Sequence, residues 1–107
     1  MRNVSLPLAV ALAGGLALAA APASGGNATV RVKDNKFVAK TLHVSVGTRV
    51  TWKFVGAAEH TVTFHGFHSK GMSSGKYSHR FTKKGTYKYI CIYHVHSDGM
   101  RGKIVVS

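Results

Sequence analysis

The sequence predicts an all-β protein: a two-sheet Greek-key β-sandwich of about seven strands. Three features carry that expectation. From residue 28 onward, polar and apolar side chains alternate in short runs rich in Val, Thr and aromatic residues, the pattern of half-buried strands. Turn formers separate the runs: Asp34-Asn35, Gly47, Gly56, Gly66, Gly71, Gly75, Gly85 and Gly102. Almost no stretch keeps a helical period. Seven short strands in one sheet would leave an apolar face in water, so two packed sheets are expected.

Residues 1–23, MRNVSLPLAVALAGGLALAAAPA, precede this pattern and read as a secretory signal peptide: basic Arg2, an apolar run, then small residues at Ala21 and Ala23. Cleavage is expected after Ala23. The apolar run contains Pro7, Gly14 and Gly15 and only approaches the roughly 20 residues a bilayer span needs, so no membrane anchor is expected. Residues 24–27 form a short linker, and 28–107 form one domain. Its strands are expected near Ala28–Lys33, Thr41–Val46, Thr48–Val55, Thr61–Phe64, Tyr77–Phe81, Thr86–Cys91 and Lys103–Val106. In the third of these, Val50, Trp52 and Phe54 share one face and Thr51 and Lys53 the other, which makes Trp52 and Phe54 core residues. For the strand carrying Tyr87 and Tyr89, the inward face is left open.

Removing the leader leaves 84 residues, a size at which a staple commonly supplements the core. The single cysteine, Cys91, cannot form an internal disulfide, so a metal is the natural staple and gives an exported thiol a reason to exist. With Arg2 set aside, the basic residues against Asp34, Glu59 and Asp98 leave a net charge of +11. Such a chain favours acidic partners. The cations are scattered singly along strands, and no groove-reading helix or RNA-binding motif accompanies them, so nucleic acid is not the expected partner.

The segment that carries chemistry is Tyr87-Lys88-Tyr89-Ile90-Cys91-Ile92-Tyr93-His94-Val95-His96-Ser97-Asp98-Gly99-Met100. Within ten residues, Cys91 to Met100, it holds a thiol, two imidazoles and a thioether, between the end of one strand and the start of the next. Soft sulfur combined with imidazole suits copper. Structural zinc takes four Cys/His ligands, and calcium or magnesium take oxygen. One further ligand is needed, and His60, between a turn and a strand in Glu59-His60-Thr61-Val62, is its natural source. Met72, His43, His65, His68 and His79 read instead as surface or packing residues.

On these residues the chain resembles the cupredoxins, the plastocyanin and azurin superfamily. The likeness runs from the β-rich start through Glu59-His60-Thr61-Val62 to the Tyr-x-Tyr-x-Cys and Gly-Met-x-Gly ending. It implies one type 1 copper ion held by His60, Cys91, a loop histidine and Met100. The loop histidine stays open between two candidates. His94 has the Cys-to-His spacing of plastocyanins but a gap to Met100 one residue longer than their commonest loop. His96 matches azurin in both gaps but lacks the Pro-Gly that usually precedes it. We assign His94, with His96 as the alternative. Many relatives place Asn or Ser after the first ligand histidine, where it bonds the two ligand segments together; this chain has Thr61. The residue before the cysteine, aromatic in plastocyanins, is Ile90.

The expected function is a periplasmic or secreted electron carrier, not an enzyme. It would act as a monomer, shuttling single electrons between redox proteins that present acidic docking surfaces. Copper storage or delivery is the alternative, with His65, His68, His79 and His96 as additional weak sites.

Overall fold

Strict alternation along Thr48–Phe54 sets the core of the molecule. Thr48, Val50, Trp52 and Phe54 are buried while Arg49 and Lys53 are exposed, so every second side chain of this strand faces inward. The computed structural model describes residues 25–107, and the leader expected over residues 1–23 lies outside the described residues. Eight strands and one helical turn follow in order: β1 Asn27–Lys33, β2 Lys36–Val38, β3 Thr41–Val44, β4 Thr48–Phe54, β5 Thr63–Phe64, β6 Gly75–Phe81, β7 Gly85–Ile90, α1 Val95–Asp98 and β8 Arg101–Val106.

The strands form two four-stranded sheets, ordered β2-β1-β4-β6 and β3-β8-β7-β5. This is the expected two-sheet sandwich, with eight strands in place of about seven. The additional strand, β2, is three residues long and pairs with β1 through the Asp34-Asn35 turn, where Asn35 adopts φ +67°. So short a run shows too little alternation to be read from sequence. β5 is shorter than expected because Thr61 and Val62 are committed elsewhere: Val62 N–H donates to Ser69 Oγ, and Thr61 faces the cysteine.

Aromatic side chains join the two sheets. Trp52 of one sheet meets Phe64 and Tyr89 of the other edge-on, at ring-centroid distances of 5.6 and 5.5 Å. Phe37 packs edge-on against Tyr89 at 4.6 Å. Tyr89 therefore faces inward and Lys88 outward, which settles the face of β7. Each such ring contributes about 1.5–3 kcal/mol by leaving water. Tyr89 stands opposite Gly102 in the β7–β8 register, and a Cβ at Gly102 would lie 2.7 Å from the Tyr89 ring and hydroxyl. Glycine there is a steric requirement of the aromatic core. No helix among the described residues is long and apolar enough to cross a membrane.

Candidate metal centre

One end of the sandwich gathers the chemistry, because β7 ends at Ile90 and delivers Cys91 to it. The chain then turns sharply: His94 N–H and Val95 N–H both donate to the Cys91 carbonyl, at 3.3 and 3.0 Å. That turn folds the His94 ring back over the thiol. The helical turn α1 follows and is closed by Gly99, which donates its N–H to the Val95 carbonyl and, with a left-handed φ of +64°, turns the chain out of the helix. Met100 returns beside its starting point, with its carbonyl accepting the Cys91 N–H at 3.0 Å. The loop is thus a closed hairpin with Cys91 and Met100 at its neck.

His60 arrives from the other direction. Its main chain is fixed on both sides, donating to the Met72 carbonyl at 2.8 Å and accepting the Met72 N–H at 2.9 Å. The ring is fully buried. Its Nδ1 lies 3.9 Å from Cys91 Sγ, and His94 Nδ1 lies 3.5 Å from the same sulfur. The donor atoms of His60, Cys91 and His94 all fall within 4.8 Å of one another. The two imidazole centroids are 4.8 Å apart. Met100, whose backbone carbonyl pairs with Cys91, is 1 % exposed.

The two sulfur-to-nitrogen separations, 3.9 and 3.5 Å, fit a single small ion. Donors about 2.0–2.3 Å from a first-row metal, at trigonal angles, stand roughly 3.5–4 Å apart. Two imidazoles and a thiolate with a buried thioether at hand are the donor set copper prefers. The structure brings together His60, Cys91, His94 and Met100. It does not bring in His96, which is exposed on α1. Of the remaining histidines, His43 and His65 are exposed and two have other occupations. His79 stacks on Phe67 with centroids 3.9 Å apart, and burial pulls its pKa down; His68 Nδ1 bonds the Ser69 carbonyl at 2.8 Å.

Of the surroundings, Asp34 was not singled out by the sequence; Thr61 was, as a departure from the Asn or Ser of many relatives, but the bonds it makes were not. Thr61 donates its N–H to Cys91 Sγ at 3.5 Å, and its Oγ1 accepts the Ile92 N–H at 3.0 Å. Thr61 therefore links the two ligand-bearing segments. Asp34, at the β1–β2 turn, places Oδ1 2.9 Å from His60 Nε2. The same carboxylate accepts the Ala57 and Ala58 N–H groups, and these together with His60 hold its pKa down at about 2, the Ala57 bond contributing most.

A family model described as a cupredoxin-like domain matches residues 6–106. The chain belongs to the cupredoxin family. Among curated cupredoxins it is 33 % identical to amicyanin-alpha of Methylorubrum extorquens over 107 residues, covering 91 % of this chain and 86 % of the relative. It is 38 % identical to the amicyanin of Paracoccus denitrificans over 97 residues, covering 83 % of this chain and 72 % of that one. Among solved structures, the Cu(I) form of an amicyanin methionine-to-alanine variant superposes with a TM-score of 0.68 at 38 % identity, covering 77 % of this chain and 83 % of that one. A purple cupredoxin from Nitrosopumilus maritimus shares the fold at 24 % identity and a TM-score of 0.66, covering 75 % of this chain and 99 % of that one.

Proposed function

We propose that this cupredoxin is an exported one-electron carrier whose copper would be held by His60 Nδ1, Cys91 Sγ, His94 Nδ1 and the Met100 thioether. The convergence of three donor atoms from two separate segments within 4.8 Å carries the reading. Copper supplies the one-electron change between its cupric and cuprous states. The polypeptide keeps the donors in place through that change. Cys91 is tied by its own backbone to Met100 and by its sulfur to Thr61, and His60 is braced by Met72 and Asp34. Small rearrangement makes electron exchange fast.

Of the three donors His94 alone is partly exposed, and the neighbouring Ile92 and Tyr93 are each 51 % exposed. Electrons would pass through this imidazole edge to partners docking transiently there. The surplus of cations favours partners with acidic surfaces and makes encounter rates fall with salt. Export to the periplasm or medium rests on the leader-like composition of residues 1–23.

The test is to load the purified protein with Cu(II) and record visible and electron-spin-resonance spectra, then follow reversible reduction electrochemically. An intense thiolate-to-copper band that disappears in Cys91→Ser and reversible one-electron cycling are expected. A colourless cupric complex would overturn the reading, as would copper released to an acceptor chelator on each reduction.

A further inference from the structure

We propose that Asp34 is a positioning residue for the metal centre: its carboxylate fixes which nitrogen of His60 is bare toward Cys91 and favours the more positive oxidation state of the bound metal. The inference rests on the proposed role of His60 as a ligand.

The geometry leaves little alternative for the His60 proton. A carboxylate only accepts hydrogen bonds, so a ring nitrogen 2.9 Å from Asp34 Oδ1 must be an N–H. That nitrogen is Nε2, which leaves Nδ1, the atom facing Cys91, with its lone pair free. The His60 backbone is already fixed by Met72, so rotation and tautomerism of the ring are the freedoms left, and the Asp34 bond removes both.

Asp34 is itself built into place. Its carboxylate receives the N–H groups of Ala57 and Ala58 at 2.9–3.0 Å, from the loop that leads to His60. A Cβ at Gly56 would lie 2.3 Å from Asp34 Oδ1, so the carboxylate sits against bare backbone that only glycine leaves open. Among the described residues this is the one carboxylate paired with an imidazole. Carboxylate partners of metal-bound histidines orient the ring and increase its basicity. Because Asp34 is 44 % exposed, water screens part of its charge, and the effect is at the lower end of what such partners achieve.

Three variants separate this role from simple bracing of the loop. Asparagine at position 34 can still accept from His60 and Ala58 but carries no charge. In Asp34→Asn the affinity for Cu(II) relative to Cu(I) is expected to fall about tenfold, read as a rise of about 59 mV in reduction potential for one electron. Glu59→Gln removes the neighbouring acid, which makes no bond to the ring, and should shift the potential far less. In Asp34→Ala, nitrogen-detected NMR of the copper-free protein should show His60 as mixed tautomers, where the parent shows Nε2–H alone.

An Asp34→Asn potential equal to the parent's, or matched by Glu59→Gln, would overturn the proposal, as would a single Nε2–H tautomer in folded Asp34→Ala. The tautomer measurement needs no metal, so it stands whether or not His60 proves to be a ligand. A His60→Ala protein that remains blue would instead overturn the ligand assignment itself.

Discussion

Thr61 Oγ1 accepts the backbone N–H of Ile92 at 3.0 Å, joining the segment that carries His60 to the segment that carries Cys91. The same residue gives its own N–H to the cysteine sulfur and receives the Thr63 hydroxyl proton at 3.0 Å. Thr61 makes this linkage with one oxygen and is itself only 3 % exposed.

Replacing Thr61 by valine keeps the shape and removes the acceptor. The Ile92 N–H then loses its partner, at a cost of about 1 kcal/mol. Urea denaturation of the copper-free Thr61→Val protein should show that loss, with a lower midpoint at unchanged slope. Copper binding should survive, because the Thr61 N–H to sulfur does not depend on the side chain.

The loop histidine gives a second prediction. His94 is folded over the thiol by the turn that starts at the Cys91 carbonyl, whereas His96 lies two residues later on the exposed side of α1. His94→Ala should abolish the intense visible band or replace it with that of a weaker, altered complex. His96→Ala should leave its position and intensity unchanged. A visible spectrum after titration with Cu(II) reads both outcomes.

How much of this was legible beforehand follows from where the information lies along the chain. Cys91, His94 and Met100 occupy one short segment whose residue types have few other reasons to occur together, so the cluster was readable, and with it the fold. The inward set Val50, Trp52 and Phe54 was readable because seven residues of uninterrupted alternation leave one solution. Choosing between His94 and His96 required the backbone. A four-residue helical turn is too short to show a period, and that turn decides which ring points back to the sulfur. Asp34, and the bonds that Thr61 makes, were opaque for another reason. Each acts across a gap of about thirty residues or a little less, and a single carboxylate or hydroxyl carries no spacing signal until the fold closes the gap.

Gly102 offers a test of the aromatic core. A methyl group there would sit 2.7 Å from both Cζ and Oη of Tyr89, whose ring is held by Phe37, Phe64 and Trp52 and has nowhere to go. Gly102→Ala should cost roughly 1–3 kcal/mol, the range for overpacking a filled core. Removing the Tyr89 hydroxyl in the double variant should recover only part, because Cζ remains. Thermal melts of the two variants and the parent supply the comparison.

The Tyr89 hydroxyl also governs behaviour at high pH. It is buried without a hydrogen-bond partner of good geometry, as is the indole N–H of Trp52. Burial pushes the phenol up to about 12 from 10.0, with the nearby indole offsetting a little. A pKa higher in the folded state than in the unfolded one means the unfolded chain gives up its proton first. The stabilisation is therefore complete below pH 10 and is lost as pH rises towards 12. Tyr89→Phe removes this dependence and one orphaned polar group together. Its stability near neutral pH should equal or exceed the parent's by up to about 1 kcal/mol, since an unsatisfied hydroxyl is costly. Between pH 10 and 12 it should lose less stability than the parent. Urea midpoints measured across that range for both proteins decide the matter, and parallel curves would show that the buried phenol does not drive the alkaline loss.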